Sequence, residues 1–172
     1  MSKTKIYFAS DFHLGSPSLK ESHEREKRII KWLDKIKRDA KSIYLIGDIF
    51  DFWFEYKKVV PKGYVRLLGK IAEITDSGIG VHIVTGNHDL WMNDYLILEC
   101  GVKIYHEPIQ IKENKKTLFI GHGDGLGPGE NSFKLIKKIF KNKLCQWIFA
   151  RLPPNTAIKF AHWWSKKSRD SE

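Results

Sequence analysis

Ser42-Ile43-Tyr44-Leu45-Ile46-Gly47-Asp48-Ile49-Phe50-Asp51 is a short apolar run that ends in glycine and then delivers two carboxylates. An unbroken run of this kind predicts a strand buried on both faces, as in a parallel sheet. An aspartate at the strand terminus, freed by the glycine before it, can place one oxygen on each of two cations. Read alone, it is equally well a turn aspartate capping the next element.

Repetition separates the two readings. Lys5-Ile6-Tyr7-Phe8-Ala9 is a second apolar run and leads into Asp11-Phe12-His13. Gly80 to Thr85 is a third, followed by Gly86-Asn87-His88-Asp89, and Thr117 to Ile120 leads into Gly121-His122-Gly123-Asp124. Between the first three runs, Leu19 to Ala40 and Val65 to Asp76 show helical spacing, the second with Leu68, Ile71, Ala72 and Thr75 as its expected inner stripe. Val102–Tyr105, Ile109–Lys112 and Thr117–Ile120 read as further short strands, the last two joined by a turn at Glu113-Asn114-Lys115-Lys116. Strand–helix alternation predicts a layered α/β fold around a central, largely parallel but mixed sheet. Ligands of such sheets bind beyond the carboxyl ends of the strands, where all four motifs fall.

The chain has 172 residues, 42% hydrophobic and 29% charged, which excludes a disordered chain and is long enough for a proper core. No run approaches the roughly 20 apolar residues of a spanning helix, and the Met1 end shows no secretory signal. Two cysteines, Cys100 and Cys145, are too few for a disulfide framework and fit a reducing cytoplasm, each as a small buried hydrophobe. The net charge of +10 is uneven: residues 131–172 hold ten Lys/Arg and two Asp/Glu. Two parts are therefore expected, a core over 1–130 and a basic helical cap over 131–172. In the cap Phe133, Ile136, Ile139 and Phe140 share one helical face, and Thr156 to Ser165 forms another helix.

Carboxylates, imidazoles and an amide oxygen are the donors that hold two divalent cations about 3.5–4 Å apart for phosphoryl chemistry. Asp11 and His13, two apart, point the same way from an extended strand end. Asn87 ligates without adding charge. His88 can face the phosphate and donate a proton or stabilise charge, with Asp89 orienting it as a hydrogen-bonded carboxylate. Gly125-Leu126-Gly127-Pro128-Gly129 is a loop, not a phosphate-binding P-loop, because no Gly-Lys-Ser/Thr follows. His82 is expected in the core or at a strand edge, and His23, His106 and His162 at the surface or in packing. Trp53 and Phe54 are read as wall or core.

Asp-x-His, Gly-Asp, Gly-Asn-His-Asp and Gly-His in this order resemble the calcineurin-like metallophosphoesterase superfamily. Ser-Asp-Phe-His-Leu-Gly, Gly-Asp-Ile-Phe-Asp-Phe-Trp and Gly-His-Gly-Asp-Gly-Leu-Gly-Pro-Gly are similar to its UDP-2,3-diacylglucosamine hydrolases of lipid A biosynthesis. The resemblance implies that Asp11 and His13 ligate one metal, Asn87 and His122 the other, and that Asp48 bridges them, with manganese as the metal. It implies catalytic roles for His88 and Asp89, and substrate contacts at Asn87, His88, Glu130, Ser165 and Arg169. The family's closing Gly-His-x-His does not occur in this sequence. A C-terminally truncated chain is the expectation, with metal coordination left open to water.

The resemblance implies hydrolysis of a lipid-linked nucleotide-sugar diphosphate by a cytoplasmic protein, peripheral on the inner face of the inner membrane. Ten basic residues interleaved with Phe133, Phe140, Trp147, Phe149, Phe160, Trp163 and Trp164 suit an anionic membrane surface. Nucleic acid is the less expected partner, although basic-plus-aromatic stretches also bind single strands. The rival readings are a nucleotide phosphodiesterase or nuclease of the same superfamily, and a non-catalytic scaffold that keeps the fold.

Overall fold

A computed structural model describes residues 3–123 and 138–169, without the side chains of 164 and 166–169. Four parallel strands lie side by side in chain order: β1 (Lys5–Ala9), β2 (Ala40–Ile46), β3 (Gly80–Val84) and β4 (Lys103–Tyr105). The crossovers carry α1 (Leu19–Ile36), α2 (Val65–Asp76) and α3 (Tyr95–Cys100). A sheet wound in one direction by right-handed crossovers collects its helices on one face.

The period-two alternation of each strand divides the core. Tyr7, Ala9, Ile43, Leu45, Val81, Ile83 and Ile104 face the helices and pack with Ile29, Leu33, Ile71 and Ile74. Ile6, Tyr44, Ile46, Val84 and Tyr105 face the opposite side. There β5 (Ile109–Glu113) and β6 (Lys116–Ile120) form a separate antiparallel hairpin that adds Ile109, Ile111, Leu118 and Ile120. Asn114 and Lys115 both take positive φ (48° and 64°), which closes the two-residue turn in the hand that suits twisted strands. Parallel and antiparallel pairing thus belong to two different sheets.

Some boundaries differ from expectation. Ser18 is the N-cap of α1, accepting from Glu21 N, and its hydroxyl donates to the Glu21 carboxylate at 2.7 Å, so the helix starts at Leu19 as expected. The helix ends at Ile36, however, and Ala40 opens β2, fully buried and paired with Lys5. Ladder pairing and burial override the helical propensity of Ala40. The inner stripe of α2 is Leu67, Ile71 and Ile74 rather than Leu68, Ile71, Ala72 and Thr75. Its phase is set from outside: buried Glu26 of α1 accepts the Leu67 N–H at 3.0 Å, capping α2 where Tyr64 offers no side chain. Helix α3 was not foreseen, and Cys145 is only half-buried, unlike Cys100.

The C-terminal residues include α4 (Lys143–Phe149) and α5 (Pro154–Arg169), the latter longer than the expected Thr156–Ser165. Phe140, Phe149, Ile158 and Ala161 pack on a buried group of Phe52, Phe54, Leu90 and Trp91. Those four residues follow β2 and β3, so this packing seats the C-terminal helices beside the strand ends. The expected helical face of Phe133 and Ile136 lies outside the described residues.

Candidate metal centre

The loops after β1, β2 and β3 continue the sheet's pairing beyond the strands. Asp11 N donates to Gly47 O at 3.2 Å, His13 N to Asp48 O at 2.8 Å, and Leu14 N to Ile49 O at 3.0 Å. Asp11, His13 and Asp48 nevertheless take positive φ (57°, 43° and 53°). Asp11 and His13 therefore do not leave β1 as an extended pair, as the spacing implied, but reach one site through left-handed kinks. Non-glycine residues held in this region cost on the order of 1–3 kcal/mol each and persist where surroundings over-determine them. Part of that support is Arg25 of α1, whose Nη1 donates to Phe12 O, His13 O and Ser16 O at 3.0, 2.9 and 3.0 Å.

Asp48 is the centre of the site. It is 4% exposed, and its Oδ2 lies 3.3 Å from His122 Nε2, 3.8 Å from His13 Nε2 and 3.9 Å from His88 Nε2. Its Oδ1 accepts the backbone N–H of His88 at 3.0 Å. Burial pushes the carboxyl up, but the hydrogen bond to His122 and the charges of His88 and His122 outweigh it, so its pKa lies below the usual range. The two motif glycines exist for this approach. A Cβ on Gly47 would stand 2.7 Å from the His122 ring, and one on Gly86 would strike Asp48.

Asp11 is exposed, with Oδ1 3.9 Å from His13 Nε2. Ligand atoms of Asp11, His13 and Asp48 lie within 4.8 Å of one another, as do those of His13, Asp51 and His88. Burial lowers the pKa of His13, and its Nδ1 is buried without a hydrogen-bond partner. His122 leaves β6 with Nδ1 3.2 Å from Ile46 O, which turns Nε2 toward Asp48. Asn87 is half-buried in the loop directly after Gly86. Among the described residues, no Lys or Arg pairs with Asp48. A buried carboxylate ringed by imidazole nitrogens fits a divalent cation of borderline softness.

Asp89 departs from its expected role. It is fully buried, and its carboxylate accepts Ile49 N and Gly86 N, each at 2.8 Å, rather than orienting the His88 ring. It staples the β2 loop to the β3 loop. Burial first, and the Asp48 charge next, push its pKa up to about 6 against those two donors. The His88 ring is held elsewhere, with Nδ1 3.0 Å from Asp51 O and 3.1 Å from Ser165 Oγ.

Ser165 is brought to the site as expected, but it is 4% exposed and donates to Asp51 Oδ1 at 3.0 Å. Glu130 and Asp124 lie outside the described residues, as does the Arg169 side chain. His162, read as a surface or packing residue, places Nδ1 3.2 Å from Asp51 Oδ2. Its spacing of three from Ser165 on one helix was the available signal.

A family model described as calcineurin-like phosphoesterase matches residues 4–170. The UDP-2,3-diacylglucosamine hydrolase of Porphyromonas gingivalis is 39% identical over 170 residues, covering 98% of this chain and 65% of the relative. Proteins of the same name from Actinobacillus succinogenes and Pseudomonas aeruginosa are 26% and 24% identical, with 98% and 95% of this chain covering 70% and 66% of theirs. This chain thus spans about two thirds of the length of these curated relatives. By this match over residues 4–170, the chain belongs to the calcineurin-like phosphoesterase family.

Proposed function

We propose that the chain carries the site of a metal-dependent phosphoester hydrolase acting on the diphosphate of UDP-2,3-diacylglucosamine. One observation carries the reading: a single buried carboxylate, Asp48, faces imidazoles delivered from three other strand ends. The names of the relatives supply the substrate class.

In this reading Asp11, His13, Asp48, Asn87 and His122 would hold two divalent cations, with manganese as the metal. Two such cations would neutralise phosphoryl charge and activate water. The protein's own residues do the rest. The phosphate sits over Asp48, and His88 turns Nε2 toward it, from where it can hydrogen-bond a phosphoryl oxygen or pass a proton to the leaving oxygen. Water attacks the α-phosphorus, the bond to the bridging oxygen breaks, and UMP and 2,3-diacylglucosamine 1-phosphate leave. Glu130 and Arg169 are the proposed substrate contacts from the C-terminal part, and Ser165 acts on the substrate through His88.

Residues 131–172 serve in this reading as a cap for the acyl chains and a contact with the membrane surface. Leu144, Trp147, Ile148, Phe160 and Trp163 of α4 and α5 are exposed beside exposed Lys143, Arg151 and Lys159. No helix among the described residues is long and apolar enough to cross a membrane.

The test is manganese-dependent release of UMP from UDP-2,3-diacylglucosamine by the purified chain, with Asp48→Ala as the control. The variant is expected to lose the activity and the manganese-induced rise in melting temperature that cation binding gives the wild type. Hydrolysis that persists unaltered in Asp48→Ala would reject the site.

A further inference from the structure

Asp51 is three residues past Asp48 and only 2% exposed. An ionised carboxylate this deeply buried is costly unless its oxygens are satisfied. Both oxygens take side chains from α5: Ser165 Oγ donates to Oδ1 at 3.0 Å and His162 Nδ1 to Oδ2 at 3.2 Å. Residues three apart on a helix share a face, so α5 presents both from one side.

The same arrangement fixes His88. A backbone carbonyl only accepts, so the ring nitrogen 3.0 Å from Asp51 O carries the proton. Ser165 Oγ gives its own proton to Asp51 and so accepts from that same nitrogen, at 3.1 Å. His88 is thereby set as the Nδ1–H tautomer, with Nε2 left for the site, 3.9 Å from Asp48 Oδ2. Asp51 acts on the ring twice, once through its carbonyl and once through its carboxylate by way of the Ser165 hydroxyl.

We propose that Asp51 is a positioning residue whose carbonyl sets the tautomer of His88 and whose carboxylate, by way of Ser165, ties the orientation of that ring to the seating of α5, so that docking of the C-terminal helices completes the site. The consequence for rate rests on the hydrolase reading given above; the tether itself does not. The competing role for Asp51 is direct ligation, since its carboxylate, His13 and His88 offer ligand atoms within 4.8 Å of one another. The two roles differ in what they do to metal affinity.

The experiment compares the wild-type chain, Asp51→Asn and Ser165→Ala. Histidine-¹⁵N-labelled protein without metal is read by long-range ¹H–¹⁵N NMR, with His88→Gln identifying the His88 signals. Manganese affinity is measured by calorimetry, and kcat and KM with the diphosphate substrate. The wild type is expected to show His88 as one Nδ1–H tautomer; both variants keep the Asp51 carbonyl and with it the tautomer, but loosen or lose the Ser165 acceptor and should shift the His88 Nδ1–H signal. Manganese affinity and KM should hold while kcat falls on the order of tenfold or more, the usual effect of removing an orienting partner. Unchanged His88 signals in both variants overturn the tether. A loss of manganese affinity in Asp51→Asn that Ser165→Ala does not share overturns it in favour of ligation. If the wild type hydrolyses nothing, the hydrolase reading fails, and the NMR comparison still decides the tether. If Asp51→Asn does not fold, Ser165→Ala carries the same test, because it removes one hydroxyl and leaves the carboxylate.

Discussion

Arg25 Nη1 reaches the carbonyls of Phe12, His13 and Ser16 and so supports the left-handed kinks that bring Asp11 and His13 to the site. Gly47-Asp48, Gly86-Asn87 and Gly121-His122 could be read because each pairs a ligand type with the glycine that lets another loop come close. Nothing in Asp11-Phe12-His13 announces two left-handed residues, because their strain is held by a partner twelve or more positions away. That partner, Arg25, is one of many charges on α1 and carries no local mark in the sequence. Its single nitrogen donates to three carbonyls of the 12–16 segment. Arg25→Ala is expected to release the kinks and lower manganese affinity roughly 10–100-fold, as loss of supporting contacts around metal ligands does. Arg25→Lys should retain much of the affinity, since an ammonium also offers three donors. Calorimetric titration of the two variants checks this, and wild-type affinity in Arg25→Ala would remove the clamp from the account.

Elements were legible where apolar runs and helical spacing were long, and failed where tertiary contacts set the outcome. The core strands and the full span of α2 follow from local pattern. The phase of α2 does not: Leu67 and Leu68 are equally apolar, and only the Glu26 cap and the packing against α1 select Leu67, Ile71 and Ile74. Helix α3 is six residues long, too short for a periodic signal, and two of its apolar residues, Ile97 and Leu98, are exposed. The selection in α2 has a measurable consequence. Leu67 is fully buried, so Leu67→Ala should cost about 2–5 kcal/mol of unfolding free energy. Leu68→Ala, at the half-buried edge, should cost clearly less. Denaturant titrations of the two variants test the stripe, and equal losses would contradict the observed helix phase.

At the scale of the molecule, aromatic packing and charge divide the C-terminal helices into two faces. Phe149 sits 4.9 Å from both Phe54 and Trp91, and the Trp91 indole N–H donates to Phe140 O at 2.7 Å, so one face is committed to the core. The other keeps Leu144, Trp147, Ile148, Phe160 and Trp163 in solvent, with the Arg151 guanidinium 4.4 Å over the Trp147 ring. Exposed aromatics flanked by cations are what an interfacial helix presents to an anionic bilayer, where each basic residue near the surface contributes about 1 kcal/mol. Ten basic and two acidic residues over 131–172 mark this part in the chain, but nothing local marks which aromatics turn inward. The chain should therefore co-sediment with phosphatidylglycerol-containing vesicles far better than with phosphatidylcholine alone. Binding should weaken as the Debye length shrinks from about 10 Å at 0.1 M salt to about 3 Å at 1 M. The double variant Trp147→Ser, Trp163→Ser should lose most of the binding while still unfolding cooperatively, because both residues are more than half exposed. Equal binding to neutral and anionic vesicles, or an unaffected double variant, would leave the basic face as a solvated surface.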